Sequence, residues 1–221
     1  MSKVKGGARQ YASPLRQQQA RSTRSAVLAA ARSLFVERGY VATTVDQIAA
    51  RAGVSTPTVF ASVGSKRQLL KELLDVALAG DEDPTPVAER PWYRESLQES
   101  DPGRSLQLYA RNLVAIHERF ADLDVVLQVG AGADSELREL WRASEEQRRR
   151  GAAMVVNVLM GKAKLRDGLS RNSAIDVVWF LNSADPFRRL VRECGWDLKR
   201  YEKWLGETLC EQLLPRRALG T

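Results

Sequence analysis

The sequence predicts an all-α protein with two parts, an N-terminal part over residues 1–80 and a larger part over residues 81–221. Apolar residues recur at helical spacing along most of the chain, and the larger part shows no alternation typical of strands. Helix-breaking residues cluster between Gly80 and Gly103, and they include Pro84, Pro86 and Pro91. This cluster indicates a hinge between the two parts.

Positive charge is concentrated in the N-terminal part. Residues 1–71 contain 12 Lys and Arg against only Glu37 and Asp46, a net charge of +10, whereas the whole chain carries +7. A concentrated positive field beside a slightly acidic remainder is typical of a part that binds a polyanion. A solubilising basic tail would give the same count, so charge alone leaves both interpretations open.

Composition excludes several classes of protein. A chain of 221 residues with 44% hydrophobic content can bury a core. No apolar run approaches the roughly 20 residues of a membrane span, and the N-terminus lacks the apolar centre of a signal peptide, so we expect a cytoplasmic protein. Cys194, Cys210 and the single His117 make neither a disulfide framework nor a zinc site, and we expect no metal and no cofactor.

The first two helices are marked by the residues at their ends. Apolar residues at helical spacing predict a helix from about Ser22 to Arg38, and Gly39 stands where a helix end needs a positive φ. Thr44 and Gln47 then have the spacing of a capping box, which opens a short second helix.

A tight turn and two further helices follow. Gly53 supplies the turn, Ser55 can cap a third helix, and Pro57 falls in its first turn, where a missing N–H costs little. A second capping box, Ser65 with Gln68, opens a fourth helix. Two short helices joined by a glycine-containing turn make a helix-turn-helix, whose second helix can enter the major groove of DNA.

This segment resembles the TetR-family signature in residue order and spacing over about residues 22–75. The matching stretches are Leu34-Phe-Val-Glu-Arg-Gly-Tyr40, Thr43-Thr-Val-Asp-Gln-Ile-Ala49, Ala52-Gly-Val-Ser55, Thr58-Val-Phe60 and Ser65-Lys66. The resemblance implies a three-helix DNA-binding domain, joined by a helix to an all-helical ligand-binding and dimerisation domain. It also implies a transcriptional regulator without enzymatic activity, in most cases a repressor that a small molecule releases from a palindromic operator.

The resemblance implies which residues contact DNA. Thr44 would offer its hydroxyl and backbone amide to one phosphate, and Lys66 would hold another. The start of the third helix would reach base edges, phosphates or a thymine methyl. The complete set is Thr44, Gln47, Ser55, Thr56, Pro57, Thr58, Phe60, Ser62 and Lys66.

The sequence departs from the family at the end of the third helix. It reads Phe60-Ala-Ser62-Val63 where the family more usually has a tyrosine, then a histidine or tyrosine followed by phenylalanine. Phe60 lacks a phenolic hydroxyl for a phosphate, and Ser62 is shorter than the usual ring. Some backbone contacts could therefore move to Arg16, Arg21 and Arg24, although a solvated arm fits these residues equally well.

Helical spacing continues in the larger part. The pairs Asp101-Pro102 and Asp185-Pro186 each have the form of an N-cap followed by proline at the first helical position. A last helix is predicted from about Asp197 to Leu214, ended by Pro215. The run Arg148-Arg-Arg150 is interpreted as a solvated helix face.

Dimerisation and ligand binding are assigned to the larger part. We expect the last two long helices to form a two-fold seam at or near Val178, Trp179, Leu181, Trp204, Leu205, Thr208 and Leu209. A mainly apolar cavity is expected among Tyr109, His117, Leu127, Trp141, Met154 and Trp179. Few charges fall on these faces, so the expected effector is a small apolar or aromatic molecule. For any one tryptophan, simple core packing remains the leading interpretation.

Three alternatives to the effector-controlled regulator remain open from the sequence. Residues 125–132 resemble a strand running into a Gly-x-Gly phosphate loop, but Ser135 occupies the place of the third glycine and no strand-helix-strand unit surrounds it. A nonspecific architectural DNA binder would bind without base preference and need no effector cavity. A regulator without a small-molecule effector is the third alternative.

Overall fold

The computed structural model describes residues 14–215, and the chain is helical with no strand within that range. The helices are α1 Pro14–Ala42, α2 Val45–Ala52, α3 Thr56–Ser62, α4 Lys66–Ala79, α5 Pro91–Gln98, α6 Pro102–Ala133, α7 Ser135–Met160, α8 Arg171–Leu181, α9 Ala184–Phe187 and α10 Leu198–Leu213. A 3₁₀ turn, Val87–Glu89, precedes α5, and a π-helical segment, Arg188–Glu193, continues α9. The all-α prediction is confirmed.

The residues at the helix ends act as predicted. Thr44 Oγ1 accepts a hydrogen bond from the Gln47 amide at 3.2 Å, and the Thr44 amide donates to Gln47 Oε1 at 3.1 Å. The corresponding box at Ser65 opens α4. Gly39, at φ 79°, breaks the helical run of α1, and Gly53, at φ 68°, ends α2. Both glycines hold a conformation in which a side chain would be strained.

Helix α6 forms the centre of the larger part. The Asp101 carboxylate caps its start by accepting from the Arg104 amide, as predicted. Helices α1, α4, α5, α7, α9 and α10 all pack against it. Fully buried leucines at positions 106, 123 and 127 lie along it, and Gly206 lets α10 approach closely. A helix surrounded in this way is apolar on most of its circumference.

The two parts of the chain share one continuous core. Helix α4 ends at Ala79, and Gly80 follows at φ 95°, close to the predicted boundary. Arg119 on α6 donates from Nε to the Ala77 carbonyl of α4 at 3.0 Å, and its own carbonyl accepts from Arg32 of α1 at 2.9 Å. Polar bonds and apolar contacts therefore both hold the N-terminal helices to α6.

The breaker-rich connection is ordered by a single buried arginine. Arg90 donates to the carbonyls of Asp83 and Thr85 and pairs with the Asp81 carboxylate at 2.8 Å. The same segment contains α5. The sequence does not predict this helix, because Pro91 counts there as a helix-breaking residue. Proline is tolerated at the first helical position, and Pro91 stands there.

Two other sequence interpretations are corrected by the fold. Residues 125–132 belong to α6, so the strand and phosphate loop of the enzyme alternative do not exist. Asp185 lies inside α9 and is not its N-cap, because the helix already begins at Ala184 after Ser183. Pro186 still fits, since the N–H groups of the first helical turn have no partner within the helix. No helix in the described range is long and apolar enough to cross a membrane.

Two glycines in the last turn of α6 provide a matched test of the packing between α6 and α7. A methyl group at Gly130 would lie 2.5 Å from Leu137 Cδ1, whose side chain is fully buried, whereas one at Gly132 would meet nothing within 4 Å. Both substitutions bring the same helix propensity. Gly130→Ala should therefore have a free energy of unfolding about 1–3 kcal/mol below that of Gly132→Ala in urea denaturation. Equal stability of the two variants would contradict the close approach.

Candidate nucleic-acid interface and body cavity

The outer face of α3 is exposed and carries no charge. Val59 is fully buried and anchors the helix, while Pro57, Phe60 and Ala61 are exposed, Phe60 to 51%. Such a face can contact other molecules through apolar carbon and through the hydroxyls at its start. Any charged contact with phosphates has to come from residues around α3, because α3 itself carries no cationic side chain.

The hydroxyl groups near the start of α3 fix the geometry of the helix pair. Ser55 Oγ accepts from the Thr58 amide and lies 2.7 Å from Thr58 Oγ1, so these two side chains form the cap. Thr56 Oγ1 donates to the Asp46 carboxylate of α2 at 2.6 Å. The predicted contact residues Ser55, Thr56 and Thr58 thus lie together at the start of α3, and part of their hydrogen-bonding capacity is already used.

The groups that are free to bind a phosphate at the start of α2 are not all those predicted. The resemblance assigns the Thr44 amide to a phosphate, but that amide already donates to Gln47 Oε1. The amides of Val45 and Asp46, in the first turn of α2, have no intrahelical acceptor, and the Thr44 hydroxyl hydrogen is also free. A phosphate at this helix end would therefore meet the next two amides, with Gln47 acting as their support.

Lys66 has a structural position that the sequence did not reveal. Its Nζ donates to the carbonyls of Tyr40 at 3.0 Å and Thr43 at 2.9 Å, and it lies 4.2 Å from the centre of the Tyr40 ring. Burial lowers the pKa of this ammonium group below its usual range. Two of its three N–H groups thus tie the end of α1 to the start of α4, which leaves one N–H for the predicted phosphate contact.

Ser62 and Arg24 are also engaged within the N-terminal part. Ser62 Oγ donates to the Val59 carbonyl, and the Ser62 carbonyl accepts from Arg24 at 2.7 Å. Arg24 further pairs with Glu72 of α4. Arg24 is therefore not a free arm residue, while Arg16 and Arg21 are exposed in the first part of α1.

A cavity of about 680 Å³ lies in the larger part, within the range of small-molecule sites. Its wall combines α6, α7 and the α8–α9 region with the end of α4 at Leu78 and the segment at Pro86 and Val87. Five predicted residues line it: Tyr109, His117, Trp141, Met154 and Trp179. Leu127 does not, because its fully buried side chain fills space in the core.

The polar atoms of the cavity are only partly satisfied. His117 Nε2 lies 3.2 Å from the Asn182 carbonyl, so this nitrogen carries the hydrogen and Nδ1 is left as a bare acceptor. Burial lowers the pKa of His117 to about 4, which keeps the ring neutral. The indole N–H groups of Trp141 and Trp179 are buried and have no acceptor in the described structure. These three unpaired polar atoms lie beneath the cavity surface, in side chains that form its wall.

Charged residues of the wall were missed in the sequence. Arg148 is half-buried and donates to the Trp179 carbonyl and, at 3.0 Å, to Asn182 Oδ1, while pairing with Glu145. The interpretation of this arginine as part of a solvated face is wrong, although its two neighbours in the run are exposed. A signal was present, since Trp141 and Arg148 are seven residues apart and so share a helix face. The other missed charges of the wall are Asp124 on α6, Glu145 and Arg150 on α7 and Asp185 on α9.

The predicted seam residues divide into two groups. Val178, Leu181, Leu205 and Leu209 are buried in the core of the single chain. Trp179, Trp204 and Thr208 are partly exposed on α8 and α10. Only the second group can reach a partner, and the buried four can support such a surface from beneath.

Known proteins resemble this chain in its N-terminal helices and in its whole fold. The profile of bacterial regulatory proteins of the tetR family matches residues 27–73. The uncharacterized HTH-type transcriptional regulator YdeS of Bacillus subtilis (strain 168) is 30% identical over 162 residues, which cover 71% of this chain and 74% of that protein.

Solved structures extend the likeness to the larger part. Native NalD, the secondary repressor of the MexAB-OprM multidrug efflux pump in Pseudomonas aeruginosa, has a TM-score of 0.64 at 24% identity, over 90% of this chain and 99% of NalD. A putative transcriptional regulator from Saccharomonospora viridis, in complex with choline, has a TM-score of 0.63 at 17% identity, over 89% of this chain and all of that one. The helix-turn-helix and the larger helical part thus recur together in one fold.

The role of Lys66 can be tested by stability. Lys66→Met removes two hydrogen bonds and leaves two carbonyls without them, so the free energy of unfolding should fall by about 1–3 kcal/mol. Lys71→Met is the control, because Lys71 is exposed and only pairs with Asp75 one turn away, a contact of at most about 0.5 kcal/mol. Unchanged stability of Lys66→Met, together with lost DNA binding, would assign Lys66 to a phosphate instead.

Proposed function

The chain belongs to the tetR family of bacterial regulatory proteins, and on that premise we propose that it is a homodimeric repressor of transcription that binds a roughly palindromic operator and is released by a small molecule. The observation that carries the proposal is the exposed, uncharged face of α3 within residues 1–71, which have a net charge of +10. Charge draws this part to DNA, and the uncharged face is suited to contact bases.

Recognition is divided between two kinds of contact. Helix α3 lies in the major groove, where Pro57 and Phe60 touch thymine methyl groups and the hydroxyl of Thr58 reaches a base edge. The first amides of α2, the Thr44 hydroxyl and the exposed Arg16 and Arg21 hold phosphates. Phosphate contacts release counterions, so affinity for any DNA falls steeply as salt rises.

Two half-sites require two N-terminal parts, and the dimer provides them. The partly exposed faces of α8 and α10, with Trp179, Trp204 and Thr208, form the two-fold seam. Half-sites then lie one helical turn of DNA or a multiple of it apart, because both copies of α3 face the same side of the duplex.

The cavity in the larger part holds the effector. Its volume, its aromatic walls and the few polar side chains among them are those of a small-molecule site. Leu78 of α4 contributes to the wall, so an occupant touches the same helix that begins beside the recognition helix. A structural neighbour solved in complex with choline supports a ligand-binding role for the larger part of this fold. The protein acts on DNA in the cytoplasm.

A nonspecific architectural binder remains the competing function. It would bind operator and random DNA alike, since phosphates carry no sequence information. The cavity argues against this function, because an architectural protein needs no effector site.

Sequence-specific binding can be tested at Phe60. On DNA from upstream of the gene for this chain, Phe60→Ala should lower operator affinity by about tenfold or more and leave affinity for random DNA unchanged, because only a base contact is lost. Met160→Ala, which changes a similarly exposed apolar side chain in the larger part, should alter neither affinity. Competition binding at fixed salt is the measurement, and equal losses on both DNAs would contradict base recognition by α3.

The seam can be tested at Thr208. Thr208→Arg places a long charged side chain on the half-buried face of α10 and should convert the dimer to a monomer in sedimentation at micromolar concentration. Operator affinity should fall with it, whereas Glu139→Arg on an exposed part of α7 should remain dimeric. A wild-type monomer that binds its operator tightly would refute the dimer, and a dimeric Thr208→Arg variant would move the seam elsewhere.

A further inference from the structure

One carboxyl group in the cavity wall has no cationic partner. Asp124 is 8% exposed, and its only hydrogen bond from a side chain comes from Gln128 at 2.8 Å. The other acids of the wall are paired, Glu145 with Arg148 and Asp185 with Arg188 at 3.3 Å. Asp124 forms no salt bridge with any residue that the structure describes. A buried charge without a partner is costly, so this group needs either a proton or a cation.

A second acceptor lies on the same face of the same helix. His117 precedes Asp124 by seven residues, which places both side chains on one side of α6, about 10 Å apart along its axis. His117 is 2% exposed, and its Nδ1 has no donor. Trp141, Trp179 and Tyr109 line the same cavity. The wall therefore combines the Asp124 carboxylate with large aromatic side chains, while His117 Nδ1 and the indole N–H groups of Trp141 and Trp179 are unpaired beneath its surface.

We propose that the effector is a lipophilic cation, an aromatic molecule with a protonated amine that pairs with Asp124 while its rings contact Trp141 and Trp179. The proposal rests on the effector cavity proposed above and names the class of its ligand. A protonated amine supplies the charge and the N–H donors that Asp124 lacks. The face of Trp141 adds a favourable contact for a cation held in such a site, whereas Arg148 already lies over the Trp179 ring.

The charges around Asp124 favour a cation over an anion. Glu145 and Arg148 face it from α7 and Asp185 faces it from α9; Glu145 is paired with Arg148 and Asp185 with Arg188, so among these acids only the Asp124 charge is left uncompensated. Burial raises the pKa of Asp124 to about 6, and Glu145 adds to that rise. The guanidinium of Arg148 is already bonded to Glu145, Asn182 and the Trp179 carbonyl, so it is not free to receive an anionic ligand.

Three probes with one ring system and different charge test the proposal. They are 9-(aminomethyl)anthracene, 9-(hydroxymethyl)anthracene and anthracene-9-carboxylate, whose binding to the full-length protein is followed by fluorescence anisotropy at neutral pH. We expect the amine to bind about tenfold or more tighter than the alcohol, as a charge-assisted hydrogen bond requires, and the carboxylate to bind weakest.

Two variants then identify the charge that makes the amine bind more tightly than the alcohol. Asp124→Asn keeps the shape and the bond from Gln128, and it should bring amine and alcohol to within about threefold of each other by removing the ionic pair. Asp122→Asn is the matched control on α6, outside the cavity wall, and should keep the wild-type order. Thermal unfolding of each variant checks that the fold is retained.

The binding of the three probes to the wild-type protein tests the proposal without any variant. If amine and alcohol bind equally, or the carboxylate binds tightest, the cationic class is overturned while the effector cavity stands. An unchanged preference for the amine in Asp124→Asn overturns the role of Asp124. If none of the three probes binds, both the cationic class and the effector cavity fail, and DNA binding by the N-terminal part is unaffected.

Discussion

The carboxyl end of α4 is held against the middle of α6, and both functional regions depend on this contact. Arg119 bonds the Ala77 carbonyl, and the carbonyl of Arg119 is bonded in turn by Arg32 of α1. Leu78, the next residue of α4, forms part of the cavity wall. The other end of α4 begins at Ser65 and Lys66, beside α3 and the end of α1. A helix of 14 residues, about 20 Å long, thus connects the cavity to the recognition helix.

This connection limits how a ligand can act. An effector releases DNA only if its affinity is higher for the conformation that does not fit the operator. Equally tight binding to both conformations has no effect. Changing the population from 1:99 to 99:1 takes about 5.5 kcal/mol of differential affinity. The cavity offers a source for that difference, because its wall includes Leu78 of α4 together with α6 side chains, and an occupant that moves them apart moves α4.

Much of the fold and part of the site could be predicted from local sequence. Capping boxes, Gly39, Gly53 and the start of α6 depend on residues only a few positions apart, and each was confirmed. The missed features depend on partners far apart in the chain: Lys66 with the Tyr40 carbonyl, Arg148 with the Trp179 carbonyl, and Asp124 facing Glu145. Periodicity gives the face of a helix but not what lies opposite, so Leu127 was placed in the cavity although it fills the core.

The most direct test of the coupling between cavity and recognition helix is operator affinity with the cavity filled. Apolar and cationic aromatic compounds are screened for quenching of the protein's tryptophan fluorescence, and the hits are assigned to the cavity by competition with one another. Operator affinity is then measured for the dimer with each hit at saturation and at fixed salt. We predict that at least one cavity ligand lowers operator affinity by about a hundredfold, a coupling free energy within the usual allosteric range. Cavity ligands that all bind and leave operator affinity unchanged would contradict it.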